Sequence, residues 1–293
     1  GELKLAFREG GMTEEGIGKN ETISFLAYTE EACCIYYLKC TTLPLMNIEC
    51  PEEIPGEYSI PMRITLFDNG AGAAARLVCS EGEIRQRGGT ARAYPKKSFR
   101  LSLRTESVGG NVRPNHVSLR GMRQDDDWLL YSAYNDQEKI RNVFSSNLWK
   151  ETCAKENAQG IDFGMEYRYL ELFINGRYWG LYALGYPIDE KQVCIGSDSS
   201  EAALYKHGLL GKQGDESLQF TKDGDIFGDL KESPDENMRR YSFLQRYYYD
   251  LYTHTDDNDR LRSGIDPDNA AAFYLFINLV QGDDNKSLGK NFY

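Results

Sequence analysis

The sequence predicts an α+β fold, with a strand-rich N-terminal part and a helix-rich C-terminal part. Short apolar runs separated by glycine and proline dominate the chain up to about residue 135. Helical spacing of apolar residues begins after this point and is clearest in the C-terminal tail. No internal repeat is visible, and the order of strands, helix, hairpin, loops and helices is not the strict alternation of a parallel α/β protein.

Strand patterns fill the first third of the chain. They cover residues 23–28, 33–40, 43–48, 59–67, 83–87 and 97–104. Residues 59–67 alternate apolar and other side chains with a period of two, which is the pattern of a half-buried strand. The Asp68-Asn69-Gly70 turn ends this strand. A β-sheet is therefore expected on the N-terminal side of the chain.

A helix is predicted after Asp136, which is a suitable N-cap residue. Its apolar face comprises Ile140, Val143, Phe144 and Leu148, at the spacing of one helical stripe. Residues 167–174 and 178–184 then flank Asn175-Gly176, the dipeptide that favours a type I′ turn. These two segments predict a hairpin.

The tail of the chain predicts two helices. Apolar positions at helical spacing indicate one amphipathic helix over residues 238–251. Asp266 as N-cap and Pro267 in the first turn open a second helix that continues to Val280. Between the hairpin and these helices, residues 197–234 are rich in glycine and acidic residues. They are predicted to form loops with one short strand.

Composition excludes several classes of function. The chain has 293 residues, and 45 acidic against 34 basic side chains give it a net charge of −11, which argues against a nucleic-acid partner. The longest apolar stretch, residues 270–280, is shorter than the roughly 20 residues needed to cross a bilayer. Seven cysteines form no C-x-x-C pair, so a zinc site is not expected and the thiols are expected to be mostly reduced.

The most unusual segment covers residues 85–100, where basic residues surround Gly88-Gly89 in an otherwise acidic chain. Glycine lets backbone N–H groups approach phosphate oxygens, and a lysine nearby can neutralise their charge. Strand parity places Lys97 on the inward face with Phe99, and Lys96 on the outward face. Lys97 is therefore the candidate phosphate contact. The alternative is an exposed basic hairpin that only helps solubility.

Two acidic segments also suggest chemistry. Asp125, Asp126 and Asp127 are consecutive, so they cannot all face one cation on a regular element, and a solvated turn is the preferred interpretation. At the C-terminus, Asp284 has the chemistry of a base for a substrate hydroxyl, and Asn291 that of a magnesium ligand. An ordinary turn after a helix is the alternative there.

Several short motifs occur together and in order. They are Arg87-Gly88-Gly89-Thr90, Pro95-Lys96-Lys97-Ser98-Phe99-Arg100, Leu119-Arg120-Gly121-Met122, Asp127-Trp128-Leu129-Leu130, Ile140-Arg141-Asn142, the segment 171–182 around Asn175-Gly176, and Lys290-Asn291-Phe292-Tyr293. Over about residues 60–293, this ordered set resembles the CotH family of spore-coat-protein-H-like, atypical protein-kinase-like proteins.

The resemblance implies a two-lobed protein-kinase-like fold that binds ATP and Mg²⁺ and transfers phosphate to hydroxyl groups of a protein substrate. It also implies a bacterial protein that works outside the cytoplasm or at the cell surface. On this reading, residues 1–56 are an N-terminal extension, residues 57–190 the N-lobe and residues 191–293 part of the C-lobe.

The family roles fall on matching positions. The resemblance implies that Gly88, Gly89, Thr90 and Lys97 face the nucleotide and that Asp284 is the catalytic aspartate, with Asp283 as an alternative. A kinase-like lysine is oriented by a helix glutamate. Glu151 is the candidate, because eleven residues at 100° each return it to within about 20° of Ile140 on the helical wheel.

The family continues after its Asn-aromatic segment to a Trp-Asp-x-Asp segment that holds the metal, which the 293 residues do not contain. The expectation is therefore that this chain alone does not transfer phosphate. The competing hypothesis is a pseudokinase or surface binding protein without turnover.

Overall fold

The computed structural model describes residues 4–7, 22–39, 41–68, 76–106, 110–158, 160–193, 204–206, 229–232 and 256–282. The strands in these ranges are β1 (Lys4–Phe7), β2 (Thr22–Tyr28), β3 (Cys33–Lys39), β4 (Leu45–Glu49), β5 (Ile60–Asp68), β6 (Arg76–Arg87), β7 (Ser98–Glu106), β8 (Val112–Pro114), β9 (Val117–Ser118), β10 (Gln124–Asp125), β11 (Asp127–Tyr131), β12 (Tyr167–Ile174), β13 (Arg177–Gly185), β14 (Leu204–Lys206) and β15 (Asp229–Glu232). The helices are α1 (Arg141–Thr152), α2 (Glu190–Val193), α3 (Asn258–Ser263) and α4 (Pro267–Leu279), and a 3-10 turn spans Thr90–Ala93.

A closed β-barrel is the main feature of the fold. Eight strands form one sheet in the order β11-β13-β12-β4-β5-β6-β7-β8, and an additional pairing of β11 with β7 closes seven of them into a ring. Strands β4 to β8 pair antiparallel with their neighbours in sequence. The pairing of β12 with β4 is parallel and sets Glu171 opposite Leu45.

The interior of the barrel is apolar because its strands alternate in polarity. In β5 the side chains of Ile60, Met62, Ile64 and Leu66 are buried, which confirms the predicted period of two. Neighbouring strands contribute further buried apolar side chains, namely Met46, Ile48, Ile84, Phe99, Leu101, Leu103, Leu170 and Leu172. Burial of each such side chain stabilises the fold by about 1.5–3 kcal/mol.

Three smaller sheets complete the described strands. Strands β1, β2 and β3 form an antiparallel sheet in that order, and the pairs β9 with β10 and β14 with β15 are each antiparallel. The described cysteines Cys33, Cys34, Cys50, Cys79 and Cys153 are free thiols. Within the described ranges, no helix has both the length and the apolar character that crossing a bilayer requires.

The chain divides into two compact units. The first comprises residues 1–126 and 169–184, and the second comprises residues 127–168 and 185–293. In the second unit, the Trp149 ring on α1 packs edge-on against Phe273 and Phe276 of α4, with centroid distances of 6.0 and 5.1 Å. The predicted domain boundaries after residues 56 and 190 stay predictions.

The predicted α+β, two-lobed protein-kinase-like fold is wrong. The described residues form a strand-rich domain around a closed seven-stranded barrel, with only four short helices and no helix-rich C-lobe among them. The physical reason is that residue periodicity reports which face of a strand is buried but not which strands pair. The predicted helix over 238–251 lies outside the described residues.

Local signals were more reliable. The β12–β13 hairpin turns at Asn175 and Gly176, whose φ angles of 51° and 74° suit the predicted type I′ turn. Helix α4 begins as predicted, with the Asp266 carboxylate accepting hydrogen bonds from the N–H groups of Asp268 and Asn269. Helix α1 begins later than predicted, at Arg141, although the Asp136 carboxylate still accepts the Arg141 N–H at 2.8 Å.

Candidate functional site

The glycine turn after β6 is open to solvent. Gly88 has a φ of 100°, a conformation that L side chains rarely adopt, and a Cβ built there would lie 2.9 Å from the Ala91 side chain. A Cβ built on Gly89 would meet no atom within 4 Å. Both glycines are exposed, and Thr90 begins the 3-10 turn that follows. The three residues thus form a turn whose backbone a ligand can approach.

Lys97 lies just before β7 and is half-buried. Its ammonium group donates a hydrogen bond to the carbonyl oxygen of Arg92 at 2.6 Å. The parity argument does not extend to this residue or to Lys96, because β7 begins only at Ser98 and alternation requires a regular strand. An ammonium group has three N–H donors, and the bond to Arg92 uses one of them.

Lys96 is not the outward-facing residue that strand parity predicted. Its ammonium group donates to the Leu181 carbonyl oxygen at 2.5 Å and lies 4.4 Å from the centroid of the Tyr182 ring. The Tyr182 hydroxyl in turn donates to the Lys97 carbonyl oxygen at 2.8 Å. Strand β13 therefore contacts both lysines of this segment, which we call the two-lysine turn (residues 96–97).

Arg92 is engaged elsewhere. Its guanidinium donates to the Gly56 carbonyl oxygen at 3.2 Å and to the Glu57 carboxylate at 3.0 Å. In the β6–β7 ladder, Arg85 lies directly opposite Arg100. Like charges at directly opposite positions destabilise a sheet.

Sequence reasoning gave no role to Tyr182. Its side chain is buried, stacks on Phe99 with a centroid distance of 6.1 Å, and connects the two-lysine turn to β13. Residue 182 belongs to the 171–182 motif that carried the family resemblance. Its partners, however, lie 85 residues away in the chain, and no local pattern reports such a contact.

The remaining candidate residues are placed as follows. Glu151 is exposed in the last turn of α1. Asp284, its alternative Asp283, and Asn291 lie outside the described residues. The predicted roles of these residues in orientation, base catalysis and metal binding stay predictions.

The acidic segment at 125–126 is buried rather than solvated, so the turn interpretation was wrong there. Ligand atoms of His116, Asp125 and Asp126 lie within 4.8 Å of one another. The Asp125 carboxylate accepts a hydrogen bond from Arg123 at 2.5 Å, and the Asp126 carboxylate accepts one from Arg104 at 3.1 Å. These guanidinium charges oppose a bound cation, so the cluster is an ion-pair network.

Comparison with known proteins gives one family. A family model described as "CotH kinase protein" matches residues 84–293, which is well over half of the chain. The matched stretch contains the glycine turn, the two-lysine turn and the β12–β13 hairpin. No curated protein matches the chain significantly.

Proposed function

Because the chain belongs to the CotH kinase protein family, we propose that the full-length protein is a phosphotransferase that uses ATP and Mg²⁺ to phosphorylate hydroxyl groups of a protein substrate. The observation that carries this proposal is the family match, since it includes the basic segment around Gly88-Gly89. We also propose that the protein works outside the cytoplasm or at the cell surface, where members of this family act.

The glycine turn and the two-lysine turn fit a phosphate chain. Gly89 is exposed and leaves open space where a side chain would stand, so an oxygen ligand can approach the backbone of this turn. Lys97 adds a positive charge close to this turn in a chain with a net charge of −11. Gly88, Gly89, Thr90 and Lys97 would hold the phosphates, with the lysine charge offsetting theirs.

The remaining roles follow the family pattern. Asp284 would accept the proton of the substrate hydroxyl, and Asn291 would ligate the metal. When bound, Mg²⁺ supplies positive charge that stabilises the phosphoryl oxygens. The protein groups bind and orient the substrates, and Asp284 moves the proton.

Transfer of radiolabelled phosphate tests the proposal. The full-length protein is incubated with labelled ATP, Mg²⁺ and casein, and labelling of both proteins is measured. Asp284→Asn should lower transfer by about 10²–10⁴-fold, the usual contribution of a general base. Asp268→Asn, an exposed aspartate in the first turn of α4, is the matched control and should leave transfer unchanged. Equal transfer by the wild type and Asp284→Asn would contradict the assignment.

A non-catalytic binding protein is the second candidate. The observation that favours it is that the ammonium groups of Lys96 and Lys97 are both hydrogen-bonded to backbone carbonyl oxygens of the protein. A lysine with a structural role is less available to a phosphoryl group. Calorimetric binding of ATP together with no labelling of any protein would favour this second function.

A further inference from the structure

We propose that Tyr182 is a positioning residue, which holds the two-lysine turn in the conformation that binds the phosphates of the nucleotide. The inference rests on the proposed function, because it concerns the same phosphate site. On this proposal, β13 contributes to nucleotide binding by ordering the two-lysine turn and not by contacting the nucleotide.

Tyr182 contacts both lysines, and each contact uses a different part of the side chain. The hydroxyl donates to the Lys97 carbonyl oxygen at 2.8 Å, while the face of the ring lies 4.4 Å from the Lys96 ammonium. The ring also stacks on Phe99 at a centroid distance of 6.1 Å and an interplanar angle of 24°. Phe99 is the second residue of β7, so the ring is fixed against the strand that follows the lysines.

The two-lysine turn needs such support because it has no place in the sheet ladder. Strand β7 begins at Ser98, so residues 96 and 97 lack the pairing that fixes the backbone of their successors. Fixing the backbone of one residue costs about 1–2 kcal/mol in conformational entropy. A turn ordered before the ligand arrives avoids this cost during binding.

The backbone of β13 is shaped for these contacts. Gly180 has a φ of 106°, within the region that favours glycine, and both Trp179 and Tyr182 approach Phe99 at 6.1 Å. In a regular strand, residues three positions apart face opposite sides. The irregularity at Gly180 therefore lets Trp179 and Tyr182 both approach Phe99. A Cβ built on Gly180 would lie 3.7 Å from the Lys96 ammonium.

The Tyr182 phenol also stays protonated, as a donor must. Burial raises its pKa above the ordinary value of 10.0. The hydroxyl therefore keeps its proton through the neutral range, and the hydrogen bond to Lys97 does not depend on pH there.

The test compares two tyrosines of the same strand. Tyr182→Phe removes the hydroxyl but keeps the ring under Lys96. Tyr178→Phe is the matched control, because this substitution also removes one hydrogen bond. In the wild type, the Tyr178 hydroxyl donates to the Glu171 carboxylate at 2.6 Å. The Kd for ATP with Mg²⁺ is measured by calorimetry on the full-length protein, together with Tm and with hydrogen exchange of the backbone over residues 92–98.

Tyr182→Phe should raise the Kd by about three- to tenfold, the effect of one lost hydrogen bond, and should speed exchange at residues 92–98. Tyr178→Phe should change neither quantity. If the wild type binds ATP and both variants bind equally well, the positioning role is overturned while the proposed function stands. If the wild type does not bind ATP, the proposed function fails, and the role of Tyr182 in it fails as well. Tyr182→Leu extends the series by removing the ring, but Tyr182→Phe decides the question.

Discussion

At the scale of single residues, Asp136 shows how a buried carboxylate organises the chain before α1. Burial acts to raise its pKa, but hydrogen bonds from the backbone N–H groups of Arg141, Glu138 and Ile140, with the charge of Arg141, outweigh burial and lower the pKa below 3.8. The residue begins a tight turn in which the Lys139 N–H donates to the Asp136 carbonyl oxygen at 3.2 Å, and Lys139 has a φ of 61°. That turn delays the helix to Arg141.

This carboxylate predicts a pH dependence of stability. A pKa that is lower in the folded state means that the charge stabilises the fold above the unfolded pKa, and that this contribution is lost as the pH falls through the folded pKa. Asp136→Asn should cost about 1 kcal/mol at pH 6, because a neutral amide oxygen replaces the charged acceptor, and the difference from the wild type should shrink below about pH 4. Thermal unfolding between pH 2.5 and 7 measures it. Two curves that remain parallel over this range would contradict the prediction.

The two lysines make a second prediction at this scale. Lys96→Ala loses the bond to Leu181 and the contact with the Tyr182 ring, so it should destabilise the fold by about 1–3 kcal/mol. Lys97→Ala should weaken ATP binding by about tenfold and more than Lys96→Ala does. Thermal unfolding and calorimetry of both variants separate the two roles. Equal effects on the ATP affinity would remove the distinction between the lysines.

Part of this site was predictable from sequence. The exposed turn at Gly88-Gly89 was predictable because glycine is a local signal, whereas the phosphate contact of Lys97 stays a prediction. Lys96 was assigned to the wrong face, and Tyr182 was given no role, because their contacts join segments 85 residues apart. Periodicity within one strand indicates which side chains share a face, but not which distant segments they contact.

At the scale of elements, Gly82 of β6 has the closest surroundings of the described glycines. A Cβ built there would lie 2.3 Å from the Ser102 carbonyl oxygen and 3.0 Å from the Leu103 Cα. Both atoms belong to the backbone of β7, which cannot move without disturbing the ladder. A glycine at this position therefore lets two neighbouring strands approach closely.

Gly82→Ala should destabilise the protein by about 1–3 kcal/mol, the usual cost of overpacking. Cys79→Ala, at an exposed position on the same strand, is the matched control and should change stability by no more than about 0.5 kcal/mol. Urea unfolding of both variants provides the comparison. A Gly82→Ala variant as stable as the control would show that β7 yields easily at this point.

Elements with strong local signals were predicted well. The alternation of β5, the Asn175-Gly176 turn and the Asp266 cap of α4 each depend on residues close together in sequence, and each was confirmed. The Asp266 carboxylate also accepts the N–H of Ala158 at 2.5 Å. That second bond spans 108 residues, and no sequence signal indicated it.

At the scale of the whole molecule, family and architecture were not equally predictable. Short ordered motifs identified the family, and several of them lie in the β6–β7 connection and the β12–β13 hairpin. The α+β class was inferred from the order of strand and helix patterns, and the two lobes from the family resemblance. This predicted fold was wrong, because neither signal specifies which strands pair. Which strands pair to close the barrel depends on contacts between residues far apart in sequence, and local patterns do not report these contacts.

The parallel pairing of β12 with β4 also determines when the barrel can form during synthesis. Strand β4 ends at Glu49, and its partner is complete only at Ile174, 125 residues later. At about 5–20 residues per second, a ribosome needs roughly 6–25 s to make that interval. Throughout this time one edge of β4 has no partner from its own chain, and an unpaired edge readily adds a strand from another molecule. Protection of this edge until β12 has been synthesised should therefore reduce aggregation of the nascent chain.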